Sequence, residues 1–272
     1  NQTMESIVNE IEGGSIFSNC SDWDGFCAKL DEQCQRGNNI SREITIQSWK
    51  KFNRIIKKYI KNGTSSNLFA PRILESENEI RIEDAIKGTN PNYNPRGNMT
   101  YRTNCQAAVA VAEARIRGFD IETSIDYESD IKEKLSYNPN IAFIDPITGK
   151  PPNFILIKAN NAYACEQMLK KHINKGERHI FVFQWKNSSN EQEKLLHVVL
   201  ISKDRDNNVI YYDPQSNTKN NNFLSYIQYN FKWNEKSYPP RILRIDDKEL
   251  NYKVLNQISK PSTKKVNYSF YR

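Results

Sequence analysis

The sequence of 272 residues predicts an α+β fold, in which a buried central helix packs against an antiparallel sheet after a helical N-terminal region. A run of small, helix-forming residues extends from 105 to 117. Three later segments, rich in β-branched and apolar residues, are separated by turn-forming residues. Helices and strands in separate runs are typical of α+β domains. We place the helical region at residues 1–88 and a second domain at residues 89–272.

The N-terminal region carries a basic amphipathic segment at residues 41–60, where apolar residues recur at helical spacing with lysines and arginines between them. In a chain of net charge +7, this pattern fits a helix that binds a membrane surface or nucleic acid. An ordinary helix with a solvated basic face is the preferred interpretation. A nucleic-acid partner is not expected, because no zinc-finger spacing, RNA-binding motif or phosphate loop occurs, whereas membrane contact stays open.

Three cysteines in the same region, Cys20, Cys27 and Cys34, recur every seven residues. The spacing places Cys27 and Cys34 on one stripe of a helix. A structural stripe is preferred over a zinc site, because a close cysteine pair and a nearby histidine are missing. The oxidation state of these thiols stays open.

The central helix is predicted to begin at Cys105 and to end before Gly118, a residue type that commonly follows a helix. The first N–H groups of a helix have no internal partners, and the positive end of its dipole lies there. A thiolate at Cys105 is stabilised by this environment. A lone cysteine at such a position is more often a buried structural thiol, so a chemical role requires a base elsewhere in the chain.

A predicted hairpin supplies that base. Residues 195–202 and 208–213 form two strands around a polar turn. If the turn is centred on Arg205, His197 lies directly opposite Asp213, within reach of a hydrogen bond. A slip of one residue would move Asp213 to the other face. The three residue types then suit a thiol nucleophile, an imidazole base and an orienting carboxylate.

The remaining elements complete the sheet and its cover. Strands are predicted at residues 119–121, 180–185 and 241–245, and a helix is predicted around Cys165, which we expect in the core. The Lys- and Ser-rich tail after Ser259 is expected to fray. The sequence has no N-terminal signal pattern and no apolar run of membrane-spanning length.

Several short blocks occur in a distinctive order between residues 90 and 217. They are Asn90-Pro91-Asn92-Tyr93-Asn94-Pro95, Tyr101-Arg102-Thr103-Asn104-Cys105-Gln106, residues 113–122, the strand of His197, and Asp213-Pro214-Gln215. Together they resemble the papain-fold toxin family, over about half of the chain. The resemblance implies a papain-like fold for residues 89–272, with Cys105 as nucleophile, His197 as base and Asp213 as orienting acid.

Members of that family are glutamine deamidases or cysteine proteases of polymorphic bacterial toxins, phage head-associated proteins and secreted effectors. The resemblance therefore implies a cysteine hydrolase without cofactor or metal. It would be delivered from a bacterium, act on a protein in the cytosol of a target cell and, if antibacterial, be neutralised by an immunity protein. Glutamine deamidation is favoured. Peptide or isopeptide cleavage, transamidation and a non-catalytic binding role remain alternatives.

The oxyanion-binding groups are less well defined. Papain has a glutamine a few residues before its cysteine that helps to form the oxyanion hole, and residues 98–101 contain none. The backbone N–H of Cys105 and a side-chain amide from Asn104, Gln106 or Gln215 are the candidates. Gln215 is more readily explained as a residue of the turn after Pro214, and Asn104 as a helix N-cap.

Overall fold

The computed structural model describes residues 72–73, 79–126, 129–186, 196–233 and 238–263. The described residues form a mixed α+β fold. The helices are α1 Ile82–Lys87, α2 Met99–Arg102, α3 Cys105–Ile116, α4 Ser129–Tyr137, α5 Ala162–His172, α6 Phe223–Asn230 and α7 Tyr252–Ile258, with a 3-10 helix at Pro139–Ala142. The predicted cysteine stripe of Cys20, Cys27 and Cys34 and the amphipathic segment 41–60 lie outside the described residues.

The strands are β1 Arg72–Ile73, β2 Phe119–Thr123, β3 Phe143–Ile144, β4 Ile155–Leu156, β5 Arg178–Gln184, β6 Leu196–Lys203, β7 Val209–Asp213, β8 Thr218–Asn220, β9 Arg241–Arg244, β10 Glu249–Leu250 and β11 Ser259–Pro261. The main sheet has the order β4-β9-β5-β6-β7-β8. All of its neighbouring strands run antiparallel, as the sequence predicts. A second sheet has the order β1-β2-β11, and β3 pairs with β10.

Helices cover both faces of the main sheet, because its central strands are apolar on both sides. Ile180, Val198 and Leu200 belong to one core cluster with helix α3. Phe181 and Val199, their alternating neighbours, belong to a second cluster with residues of α5 and α6. Each strand residue therefore faces one of two cores according to its parity, and this fixes the face on which every functional side chain of β6 and β7 lies.

Helix α3 can lie at the centre of the fold because many of its own side chains are small, so neighbouring elements approach it closely. Ala107, Ala108, Ala110, Ala112 and Ala114 are all buried, and a helix that is buried on every face belongs in an interior. The helix ends at Ile116, and Gly118 follows in the left-handed region at φ 108°. The predicted start and end of this helix are confirmed.

Asparagine side chains cap other helices at their N-termini. Asn98 accepts the N–H of Thr100, and Asn161 accepts the N–H of Ala164. The side chains of Asn222 and Asn251 cap α6 and α7 in the same way. Asn104 occupies the N-cap position of α3, but its side chain makes no capping hydrogen bond. Asn104 is therefore the N-cap residue that the sequence suggests, but its side chain is used elsewhere.

The predicted register of the β6–β7 hairpin is wrong by two residues. Ser202 pairs with Ile210 rather than with Asn208. The Asp204 carboxylate accepts the N–H groups of Asp206 and Asn208 at 2.9 and 2.8 Å, and this turn is centred one residue later than predicted. A slip of two residues keeps every side chain on its predicted face.

The expected fraying after Ser259 is also wrong for residues 260–263. β11 pairs with β2, and Thr263 hydrogen-bonds to the buried Glu122 carboxylate. At the other end of the described chain, β1 also pairs with β2, and α1 packs against α3. Within the described ranges, no helix is long and apolar enough to cross a membrane.

Candidate active site

The predicted base and its carboxylate meet where β6 begins and β7 ends. His197 Nε2 lies 2.9 Å from Asp213 Oδ2, and both residues are buried. They are diagonal neighbours rather than directly opposed residues, because Leu200 pairs with Tyr212. Diagonal neighbours on one face of an antiparallel pair lie within reach of long side chains. The contact is therefore made although the predicted register is not.

Backbone groups hold the carboxylate in this orientation. The N–H groups of Gln215 and Ser216 donate to Asp213 Oδ1 at 3.0 and 3.4 Å. Both belong to the turn that follows Pro214. One carboxylate oxygen is thus fixed by the backbone, and the other faces the imidazole of His197.

The predicted nucleophile is the first residue of α3. Cys105 is buried, with an exposed fraction of 5%, and its thiol is free. Its side chain lies close enough to His197 to contribute to the raised pKa of the imidazole. Because Nε2 of His197 faces Asp213, Nδ1 is the ring nitrogen left for the thiol. The structure thus brings together Cys105, His197 and Asp213, which are far apart in sequence.

The charge state of His197 follows from its neighbours. Burial, the largest influence, lowers its pKa, but the charge and hydrogen bond of Asp213 and the contact with Cys105 together raise the pKa to about 10. For Asp213, burial alone would raise the pKa, and His197 with the N–H groups of Gln215 and Ser216 outweighs it, so this pKa is lowered. At neutral pH the site therefore holds an imidazolium paired with a carboxylate.

Aromatic side chains enclose the imidazole. The Trp185 ring meets the His197 ring edge-on with centroids 4.9 Å apart, and Phe183 does so at 5.6 Å. Tyr226 of α6 packs edge-on against Phe183 and stacks on Tyr211. These apolar contacts exclude water from one side of the His197–Asp213 pair, which strengthens its electrostatic interaction.

The other side of the site is open. Cys105, His197 and Asp213 line a cleft of about 800 Å³. The cleft admits a side chain or a short segment of polypeptide. Its remaining lining residues come from α2, α3, α4 and α6, from the starts of β6 and β8, and from the adjoining loops and turns. They are Tyr93, Arg102, Thr103, Gln106, Lys132, Ser136, Tyr137, Trp185, Leu196, Gln215, Ser216, Thr218 and Tyr226.

A buried amide network fixes the approach to the nucleophile. The Asn90 side-chain amide donates to the carbonyls of Gln215 and Tyr101 at 2.8 and 2.9 Å. Its carbonyl oxygen accepts from Thr123 at 3.0 Å and from Asn104 at 3.2 Å. Asn90 thus ties the segment before α3 to the turn after Asp213.

Of the three oxyanion candidates, two are engaged in this network. Gln215 donates to Asn104 Oδ1 at 3.4 Å, and the amide of Asn104 bonds to Asn90. Gln106 lies in the first turn of α3 and lines the cleft, and its side chain makes no hydrogen bond with another described residue. Gln106 is therefore the candidate whose amide is available to a ligand in the cleft.

Another buried cysteine and another buried histidine, Cys165 and His179, have environments that differ from those of Cys105 and His197. Cys165 is fully buried in α5, as predicted for a core residue, and burial followed by the charge of Glu166 raises the pKa of its thiol to about 12. His179 is buried in β5, where burial lowers its pKa to about 4 despite nearby carboxylates. Neither side chain lines the cleft.

Sequence reasoning missed Asn90, Trp185 and Tyr226 as residues of the site. Asn90 was considered only as part of the family resemblance, and Trp185 only as the last residue of a predicted strand. Tyr226 lies in a helix that was not predicted. Among the described residues, no group of three His, Cys, Asp or Glu side chains is arranged to hold a metal ion. The chain matches no model of a known protein family, and no curated protein matches its sequence.

Proposed function

We propose that the protein is a cysteine-dependent amidohydrolase with a papain-like fold, in which Cys105 is the nucleophile, His197 the general base and acid, and Asp213 the orienting carboxylate. The observation that carries this proposal is the buried His197, held between the Asp213 carboxylate and a thiol at a helix N-terminus, beside an open cleft. The resemblance of residues 90–217 to papain-fold toxins supports the same assignment.

In the first half of the reaction, the Cys105 thiolate attacks the amide carbon of the substrate, and a carbon–sulfur bond forms. The carbonyl electron pair moves to oxygen, where the Cys105 backbone N–H and the Gln106 amide are placed to donate hydrogen bonds. Collapse of this intermediate breaks the carbon–nitrogen bond. The His197 imidazolium supplies the proton that leaves with the amine, or with ammonia if the substrate is a glutamine side chain.

In the second half, water attacks the thioester. His197, now neutral, accepts a proton from the water, and the carbon–sulfur bond breaks to regenerate the thiolate. Asp213 keeps the imidazole oriented and stabilises its cation throughout. For a glutamine side chain, the sum of both halves is consumption of one water and release of glutamate and ammonia.

Deamidation of a glutamine in a target-cell protein is the favoured reaction, because the resembling family tends towards it. The same thioester chemistry serves peptide or isopeptide cleavage, and transamidation if an amine replaces water. By the same resemblance, the protein acts in the cytosol of a target cell after delivery from a bacterium, and an immunity protein would cover the cleft. A non-catalytic binding module is the alternative from a different class.

Peptide-resolved mass spectrometry of target-cell lysate distinguishes these reactions. The lysate is incubated with the wild-type protein, with Cys105→Ala and with Cys165→Ala as the matched control. A gain of about one mass unit at particular glutamines, absent only with Cys105→Ala, identifies a deamidase. New chain termini would identify a protease, and adducts with amines a transamidase. Spectra that are identical for all three proteins would contradict catalysis and favour the binding module.

Asp213→Asn is expected to move the alkaline limb of the activity profile to lower pH. His197 must be protonated to release the leaving group, so activity falls as pH rises through its pKa of about 10. Burial lowers the pKa of His197, and Asp213 is the largest influence that raises it. Replacing Asp213 with its neutral isostere asparagine should therefore lower the pH of the alkaline limb by about one unit or more. The rate of the Cys105-dependent reaction is measured across neutral and alkaline pH. A uniform decrease with an unchanged limb would contradict this role of Asp213.

A further inference from the structure

The charges of the described residues that line the cleft are unbalanced. His197 and Asp213 form a pair, and the other ionised side chains among these described residues are Arg102 and Lys132, both cations. Asp130 and Glu133 also belong to α4, but their side chains do not line the cleft. The described part of the cleft therefore presents positive charge to a ligand.

Among the described residues, no carboxylate holds either cation. Arg102 ends α2, three residues before the nucleophile, and among the described residues its side chain donates to the weak acceptor Sδ of Met99 at 3.4 Å and to no other group. Lys132 is half-buried in α4. In the described part of the chain, neither forms an ion pair with a carboxylate. By contrast, Lys219 on the neighbouring strand β8 is held by Glu83 at 2.6 Å.

We propose that Arg102 and Lys132 select substrates in which acidic side chains flank the scissile amide, so that the substrate class is an acidic segment of polypeptide. The inference rests on the proposed function and specifies the substrate of the same site. Complementary charge at a binding surface raises the rate of encounter and disfavours partners of the wrong sign. The two cations approach the site from separate helices, so a segment with acidic residues beside its glutamine can meet both.

Binding is measured with the Cys105→Ala variant, so that turnover does not interfere. The probes are fluorescently labelled peptides of equal length, in which a central glutamine is flanked by Glu, by Ala or by Lys. The Glu-flanked peptide is expected to bind most tightly and the Lys-flanked peptide least. The difference should shrink as salt is added, because exposed charges are screened.

Charge reversal tests whether the two named residues cause this preference. Arg102→Glu or Lys132→Glu, each added to Cys105→Ala, is expected to weaken binding of the Glu-flanked peptide by about two- to fivefold. The same variants should strengthen binding of the Lys-flanked peptide. Lys134→Glu is the matched control, because Lys134 is an exposed residue of α4 that does not line the cleft and its reversal changes the net charge equally.

Equal binding of the three peptides, or an equal loss with Lys134→Glu, would overturn the inference. Failure of the proposed function has a different signature. If the charge preference holds but wild-type protein changes no amide in the lysate, the cleft binds acidic segments without hydrolysing them. If amides are hydrolysed in a Cys105-dependent manner without acidic neighbours, the reaction stands and the charge selection is wrong.

Discussion

His197→Ala is expected to lower the rate of the Cys105-dependent reaction by a factor on the order of 10⁴. Without the imidazole, no described side chain takes its place between Cys105 and Asp213, so the thiol loses its base and the leaving group loses its acid. The measurement is the initial rate of product formation, whichever amide product the lysate experiment identifies.

His179→Ala is the matched control for this substitution. His179 is also buried and lies on the adjacent strand β5, but its low pKa of about 4, caused first by burial, keeps it neutral at pH 7. Its loss should reduce stability and leave the rate per folded molecule unchanged. An equal loss of rate in both variants would indicate that the effect comes from damage to the sheet and not from chemistry at His197.

Glu113→Ala is expected to cost about 3–5 kcal/mol of unfolding free energy. The buried Glu113 carboxylate accepts from Arg178 at 2.8 Å through both of its oxygens, and from Arg117 at 2.9 Å. Burial would raise its pKa, but the two guanidinium groups outweigh burial and lower it. Removal of the carboxylate leaves two buried cations short of a partner, and this is the most costly way to break such a cluster.

Urea unfolding followed by circular dichroism measures this loss. Glu166→Ala is the control, because Glu166 forms an ion pair with Lys170 on the partly exposed surface of α5, and such pairs contribute about 0–1 kcal/mol. Glu113 lies two helical turns from Cys105, so the folded variant should keep its activity. Equal losses in the two variants would contradict the structural role assigned to the buried cluster.

The helix and hairpin that carry the site could be predicted because their signals are local. Cys105 and Gly118 bound a helix through terminal preferences that depend on a few neighbouring residues. The contact between His197 and Asp213 was predicted from direct cross-strand opposition, and it forms in spite of the register error because a slip of two residues keeps both side chains on the same face. The register itself was missed because the hydrogen bonds from the N–H groups of Asp206 and Asn208 to the Asp204 carboxylate were not anticipated. The turn that they stabilise is centred one residue later than predicted.

The parts of the site that were not predicted depend on contacts between distant segments. Asn90 reaches Gln215 across 125 residues of sequence, and Glu113 reaches Arg178 across 65. Nothing in the spacing of these polar residues indicates that they are buried together. Residues 113–117 belong to one of the blocks that resemble the family, and in the structure they form the C-terminal end of α3, where Glu113 binds Arg117 and Arg178 in the core.

The helix of Tyr226 was missed for a related reason. Asn222 caps α6, but asparagine is frequent throughout this chain and is equally common in turns, so a single cap is a weak signal. Tyr226 of this helix contacts Phe183 and Tyr211, which lie on strands β5 and β7, so its role depends on contacts between separate elements. Packing between non-local elements therefore completes a site that the local sequence only outlines.

The most direct test of the proposed triad is the reactivity of Cys105 itself. The protein is treated with iodoacetamide at pH 6, and the rate of alkylation at each cysteine is followed by peptide-resolved mass spectrometry, with Cys165 as an internal control. His197 should activate the neighbouring sulfur as a nucleophile, so wild-type Cys105 reacts quickly, and His197→Ala slows the alkylation by about tenfold or more. If Cys105 reacts at the same rate in both proteins, the two side chains do not act as a pair, and the proposed mechanism is wrong.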